Sequence, residues 1–503
     1  MLLGFKVFWV ITICELLLWL IPPLKLRRIL AIPIIVVLAV TSVGIVYGHP
    51  SVPTILLACM SIYRICNLTR LLSARLQARY LNRVTVRTSL WIIGLQAGLL
   101  LLWQLSDWWQ ISTYHLWITL AYADLVCATI LLTTTIRHLR TTRVPRLTGT
   151  AMADRDLPTV TVAIPARDET EDLDDCLQSL LTSNYPKLEI IVLDDCSQDK
   201  HTPEIIRSFA HDGVIFVQGK APEANWLAKN QAYQRLFEES NGEYIVFCGV
   251  DVRFNPDSLR KLVTAMIHKH KSLISVIPQN VLLSSTHQDS TLLQPMRYAW
   301  ELALPRKLFR RPPVLSTCWI TKREVIENAG GFGAVSRSIV PESYFAHASA
   351  VHDGYSFMQS DQVMGITSNK SFSEQRATTV RIRYPQLHRR MELALLVTTF
   401  EIACIMMPLA VITAAIFGRI SLQLAIVSIV TAMTLVLAYS VTVRLTYRQW
   451  LFRSIFLLPV AAVTDAILLN YSMIRYEFFA VFWKERNICV PVMYVLEESS
   501  QDS

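Results

Sequence analysis

Two long apolar blocks bracket a polar centre, and this arrangement restricts the chain to an integral membrane architecture before any motif is read. A bilayer core of about 30 Å takes roughly 20 apolar residues as a helix. Residues 5–24, 29–47, 89–109 and 116–136 reach that length in the first block, and 393–417, 420–443 and 455–474 in the second. Residues 52–68 are shorter and carry Arg64. Composition agrees: 17% of the 503 residues are charged, against about 25% in soluble domains, and 52% are hydrophobic. A cleaved leader is not expected over 1–24, because the run is long and no small-x-small site follows it.

Loop charges give an orientation, since Lys and Arg accumulate on the cytoplasmic side. Lys25, Arg27 and Arg28 follow the first stretch; Arg70, Arg75, Arg79, Arg83 and Arg87 follow the third; Arg137, Arg140, Arg143 and Arg146 follow the fifth. The connections 48–51 and 106–115 hold neither Lys nor Arg. If 52–68 spans, every basic loop is inside and the polar centre is cytoplasmic, with His388, Arg389 and Arg390 marking its return to the membrane. Arg444, Arg448 and Arg453 fit the same side. Three C-terminal crossings would place Arg475, Lys484 and Arg486 outside, so either one segment is interfacial or re-entrant, or the rule fails there.

The expected organisation is a transmembrane block of about five spans over 1–150, a cytoplasmic domain over 151–390, and a block of about three spans with a tail over 391–503. The expected location is the plasma membrane. Much of the net charge of +9 then records topology, and nucleic acid is not needed to account for it. Ten cysteines with no CxxC pair support neither a zinc site nor a disulfide framework. Asp124 and Asp465 fall inside apolar stretches, where packing toward a bundle interior outweighs a functional reading.

From Leu157 the periodicity changes. Strand-like runs at 159–165, 188–195, 214–219 and 243–251 alternate with helical patterns at 171–181, 202–210 and 225–239. This alternation predicts a parallel, doubly wound α/β sheet, which binds ligands beyond the carboxyl ends of its strands. Acids collect at those ends: Asp168 and Glu169 after the first, Asp194, Asp195 and Asp199 after the second, Asp251 after the fourth. One such acid can simply cap a helix, but three successive ends suit a cation and polar-ligand site.

At these residues the sequence resembles glycosyltransferase family 2, inverting nucleotide-sugar transferases of the GT-A fold. IPARDE (164–169) resembles the opening motif that contacts the nucleotide, with Pro165, Arg167 and Glu169. VLDDCSQD (192–199) resembles the DDxSxD turn, which implies nucleotide contacts at Asp194 and a base contact at Asp195. WLAKNQA (226–232) is similar to a WxGK-A segment and puts Lys229 at the diphosphate. TCWITKREVIENAGGF (317–332) resembles the stretch lining the acceptor site, with Trp319. The resemblance covers about 157–384 and implies a nucleotide-diphosphate sugar donor, a divalent cation (Mg or Mn) at Asp251, and a lipid or glycan acceptor.

Departures bear on the chemistry. Where the family has DxD, this chain reads Gly249–Val250–Asp251, so only the last Asp remains. The ED pair is Glu342–Ser343, leaving Glu342, or Asp353 after the following helix, as base. The QxxRW motif of polymer synthases survives only as RIRY, with Arg381 and Arg383 as diphosphate or carboxylate partners and Tyr384 as an acceptor-stacking ring. The expected activity is therefore a membrane-bound transfer to a lipid-linked acceptor. The alternatives are a processive polysaccharide synthase extruding its product through the bundle, and an inactive sugar-nucleotide-binding scaffold.

Overall fold

A computed structural model of the chain describes residues 2–72, 78–108, 113–143, 152–280, 293–303, 312–368, 370–418, 420–447 and 453–493; Arg75, Arg146 and Arg448 lie outside the described residues. The first block holds helices α1 (Leu2–Leu18), α2 (Leu24–Gly48), α3 (Val52–Leu72), α4 (Ala78–Trp108) and α5 (Thr113–Thr142). Helices are expected here because a backbone in hydrocarbon must satisfy its own polar groups. Arg64, which weakened the reading of 52–68, is fully buried and compensated. Its guanidinium donates to Glu15 at 2.7 Å and to Gln96 at 2.8 Å, and Ser89 donates to the other Glu15 oxygen at 2.7 Å.

The central domain runs β1 (Val160–Ala166), α6 (Glu171–Leu181), β2 (Leu188–Asp194), α7 (His201–Ser208), β3 (Val214–Gln218), α8 (Ala228–Glu239), β4 (Tyr244–Cys248), β5 (Val252–Phe254), α9 (Ser258–His268), β6 (Leu273–Ile277), β7 (Gln279–Asn280) and α10 (Leu293–Ala303). It continues with β8 (Cys318–Lys322), α11 (Arg323–Asn328), α12 (Glu342–Val351), β9 (Tyr355–Gln359), β10 (Ile366–Ser368) and α13 (Phe372–Gln386). The seven-stranded sheet has the order β3-β2-β1-β4-β8-β6-β9. It corrects the all-parallel expectation in one respect: β8 runs antiparallel to both β4 and β6.

Both faces of the sheet are covered, which is why its strands read as continuous apolar runs. Val160, Val162 and Ile164 of β1 pack with Leu173 and Leu177 of α6 and Leu259 and Leu262 of α9. On the other face, Ala163 and Phe247 pack with Tyr233 and Leu236 of α8 and Phe345 of α12. The strand order reverses at β1, between β2 and β4, so the crevice for a ligand opens at their carboxyl ends. A second sheet, β5-β10-β7, pairs Ser368 with Val252 and so carries the end of β10 to that crevice.

The last block is α14 (Met391–Ile416), α15 (Leu422–Tyr447) and α16 (Arg453–Glu477), followed by strands β11 (Phe482–Trp483) and β12 (Arg486–Asn487) and the short helix α17 (Cys489–Met493). Among the described residues, seven helices are long and apolar enough to cross a membrane; α1, at 17 residues, is not one of them. α15 ends on the α/β domain, where the Tyr447 hydroxyl accepts from Asn280 at 3.4 Å. α16 ends there too: Tyr476 donates to the Arg381 carbonyl at 2.7 Å, and Asp465 pairs with Arg383 of α13. Lys484 and Arg486 then contact Glu169 and Asp195. They therefore lie beside the α/β domain.

Glu477 closes this junction. Its carboxylate accepts two bonds from Arg70 of α3, at 2.5 and 2.6 Å, and one from the Tyr384 hydroxyl at 2.5 Å. Glu477→Leu leaves Arg70 buried without its charge partner, at a cost of about 3–5 kcal/mol. The expected result is a clearly lower unfolding midpoint in detergent; an unchanged midpoint refutes the role of this contact.

Candidate active site

A cavity of about 540 Å³ opens at the carboxyl ends of β1 and β4. Its lining includes the charged residues Glu169, Lys229, Asp251, Lys370, Arg381 and Arg486 and the apolar residues Leu227, Ile339, Ile382, Ile488, Val490 and Pro491. Trp226 lies between this cavity and an adjoining one of about 290 Å³ that contains Asp195, Gln218 and Gly219. Two adjoining cavities with acids at strand ends suit an extended polar ligand.

Asp251 follows β4 and is 9% exposed. Its carboxylate accepts from the Ser368 hydroxyl at 2.6 Å, and the Lys370 ammonium stands 3.5 Å away. The glycine two positions earlier has a steric reason. A Cβ at Gly249 meets Asp251 Oδ1 at 2.5 Å, so a side chain there displaces the carboxylate.

The turn after β2 is built by its own acids. Asp194 accepts from the Ser197 amide at 3.1 Å and hydroxyl at 2.5 Å and from Gln218 at 3.1 Å, which fixes the turn but occupies the carboxylate. Arg167 is 4% exposed and donates to the Asp195 carbonyl at 2.8 Å and to the Cys196 carbonyl. It braces the loop from behind and does not line either cavity. Asp195 faces the smaller cavity, where Arg486 Nη1 donates to its Oδ2 at 2.6 Å. Burial pushes the Asp195 carboxyl up, against the pull of Arg486 and Arg167. Pro165 and Glu169 line the larger cavity, with Glu169 paired to Lys484. Burial raises the Glu169 carboxyl and outweighs the opposing Lys484 charge.

Lys229 enters from the first turn of α8 with its ammonium 5.1 Å from the Tyr233 ring centroid. Burial lowers its pKa, and the nearby Glu342 charge opposes that shift. The next residue, Asn230, is fully buried and donates to the carbonyls of Val335, Ser336 and Ser338 at 2.8, 3.0 and 2.8 Å. It thereby fixes the loop that brings Ser338 and Ile339 to the cavity wall. Glu342 begins α12, is 1% exposed, and sits behind that wall rather than in it. Arg381 of α13 lines the cavity with its guanidinium 5.5 Å from the Trp483 ring centroid, and burial lowers its pKa.

Besides Arg167, Asp194 and Glu342, which lie behind the lining, four expected residues lie away from the site. Asp353 precedes β9, at the opposite end of the sheet from the cavity, with its side chain 98% exposed and paired to Lys271 at 3.1 Å. Trp319 is a core residue, stacked 4.5 Å from Phe247 and 6.1 Å from Phe345. Arg383 turns from the cavity to Asp465. Tyr384, fully buried, bonds Glu477 and Arg70 and stacks on no acceptor surface. The helical twist of α13 separates these two from Arg381.

Conversely, Lys370, Ser368, Trp483 and Arg486 reach the site without a motif to announce them. The misplaced basic charge of the tail was the one available signal for Arg486. Among the described residues no group of three or more His, Cys, Asp or Glu comes together. The cavity-lining carboxylate of Asp251 nevertheless fits magnesium or manganese when phosphate oxygens supply other ligands.

Residues 161–330 match the family model described as "Glycosyl transferase family 2". Among curated relatives, "Probable glycosyltransferase YdaM" of Bacillus subtilis is 29% identical over 187 residues, covering 35% of this chain and 44% of that protein. "Glycosyltransferase AglE" of Haloferax volcanii is 33% identical over 99 residues, covering 19% and 31%. The chain thus spans less than half the length of these relatives. Among solved structures, a mannosyltransferase, PcManGT, from Pyrobaculum calidifontis in complex with GDP-Man and Mn2+ is 16% identical, with TM-score 0.40, covering 71% of this chain and 98% of its own. Residues 161–330, within the α/β domain, thus carry the family 2 glycosyltransferase pattern.

Proposed function

We propose that the chain transfers a sugar from a nucleotide-diphosphate sugar to a membrane-associated, lipid-linked acceptor, with inversion, on the cytoplasmic face of the plasma membrane. The observation that carries this reading is the mixed lining of the larger cavity, which holds cations and carboxylates together with aliphatic side chains, beside α13 and the segment that follows α16. The charged side chains suit a diphosphate and a sugar, and the aliphatic ones suit the first units of a lipid stem.

Transfer is a single displacement. The acceptor oxygen bonds to the anomeric carbon as the bond from that carbon to the diphosphate oxygen breaks, and the acceptor hydroxyl loses its proton. A carboxylate must take that proton, because an alcohol ionises far above neutral pH. We assign Glu342 to this role: its charge faces Lys229, and the diphosphate, by drawing Lys229 to itself, releases Glu342 toward the acceptor side. Asp195 holds the base, while Lys229, Lys370 and Arg381 meet the charge that develops on the leaving diphosphate. Asp251 would hold a divalent cation, which would supply further charge neutralisation. Tyr384 and Arg383 are engaged elsewhere, which favours single transfer over polymer synthesis.

Membranes containing the chain, given labelled nucleotide sugars, are expected to yield one-sugar lipid products; a polysaccharide size ladder overturns this reading in favour of the synthase. Glu342→Gln is expected to lower transfer by about 10²- to 10⁴-fold with donor binding retained. Asp251→Asn is expected to abolish any dependence of donor binding on Mg or Mn. If neither substitution alters transfer, the assignments are wrong; if no nucleotide sugar is used at all, the scaffold reading stands. Gly249→Asp restores the family's DxD pattern yet is expected to reduce activity, because the new side chain displaces Asp251. A gain in activity contradicts the geometry.

A further inference from the structure

The C-terminal hairpin occupies the polar contacts that a donor needs. β11 and β12 pair Trp483 with Arg486 across a two-residue turn at Lys484 and Glu485. Arg486 takes Asp195 with both nitrogens of its fork, to Oδ2 at 2.6 Å and to the carbonyl at 3.0 Å. Lys484 pairs with Glu169 and donates to the Arg167 carbonyl, and Glu485 accepts from Gln198 at 2.6 Å. Trp483 lies against Arg381 and, with Arg486 and Asn487, lines the larger cavity. The hairpin therefore bonds to the turns after both β1 and β2.

Its turn is conformationally costly. Lys484 and Glu485 have φ of +44° and +66°, the left-handed region that two-residue hairpins usually fill with Asn-Gly or Gly-Gly. Neither residue is glycine, so side-chain bonds to the domain must hold this geometry. A strained turn held by exchangeable ion pairs is suited to movement when those pairs find other partners.

Resting on the donor reading proposed above, we propose that this hairpin is a movable wall of the donor site, and that Arg486 and Lys484 are diphosphate ligands in the donor-bound state. A nucleobase presents N–H donors that replace Arg486 at Asp195, and the diphosphate presents oxygens that the freed guanidinium and ammonium take. Arginine's planar fork matches phosphate oxygens in pairs, so the exchange conserves charge-assisted bonds on both sides. Donor binding thus moves the latch from the domain's own acids to the ligand.

The test uses the full-length chain in lipid nanodiscs, with uridine, UDP, guanosine and GDP as probes of binding. Arg486→Gln is expected to weaken the preferred nucleoside diphosphate by about 10- to 100-fold, the worth of one hydrogen bond to a charged group. The corresponding nucleoside, which lacks phosphates, is expected to bind as tightly as before or more tightly, since Asp195 is freed. Arg486→Lys is expected to recover part of the loss, and Lys484→Gln to show the same split, which provides a second reading if Arg486→Gln fails to fold. The proposal is overturned if the substitutions weaken nucleoside and diphosphate equally, tighten both, or change neither. If the wild-type chain binds no nucleoside diphosphate, the donor reading itself fails and this proposal with it.

Discussion

The contact on which the arrangement of the molecule depends is the buried knot of Arg70, Glu477 and Tyr384. It joins α3 of the first block, the end of α16 and the last helix of the α/β domain, with bonds of 2.5 to 3.1 Å. Charges this deep tolerate little displacement, because separating them leaves each one desolvated and alone. The knot therefore fixes where α13 sits against the membrane helices and, through α13, where Arg381 meets the cavity. The segment after Glu477 leaves the knot and runs directly onto the strand ends. One ion pair thus sets both the floor of the site and the position of its outer wall.

The site itself is balanced rather than strongly cationic or anionic. Asp251 faces Lys370, Asp195 faces Arg486, Glu169 faces Lys484, and Lys229 faces Glu342. Each partnership is internal to the chain and each has one member suited to a nucleotide sugar. On the function proposed above, a donor that brings its own charges exchanges into these pairs. The glycine at 249 belongs to the same account, since its missing side chain gives Asp251 the room to face Ser368 and Lys370.

The α/β grammar was legible from sequence because strand and helix periodicities act locally. The expected helix at 171–181 coincides with α6, and the four strands fall within a few residues of their expected ends. Motif position located Asp195, Lys229, Asp251 and Arg381 at the cavities. It failed at Trp319, where the motif's register holds but the side chain faces the core, and at Tyr384 and Arg383, where helical twist turned neighbours of Arg381 to other partners. Asp353 failed because the start of β9 lies at the far end of the sheet. The antiparallel β8 and the reach of Ser368 and Lys370 depend on strand pairing between distant segments, which no local pattern encodes. The tail showed only as basic residues on the wrong side of a topology, an anomaly that becomes intelligible once Arg486 is seen at Asp195.

The most direct test of the central claim is titration of the purified full-length chain with a panel of nucleotide-diphosphate sugars, with and without Mg or Mn. The account predicts saturable binding of at least one of them, competed by its nucleoside diphosphate. Absence of binding across the panel by a folded protein contradicts it.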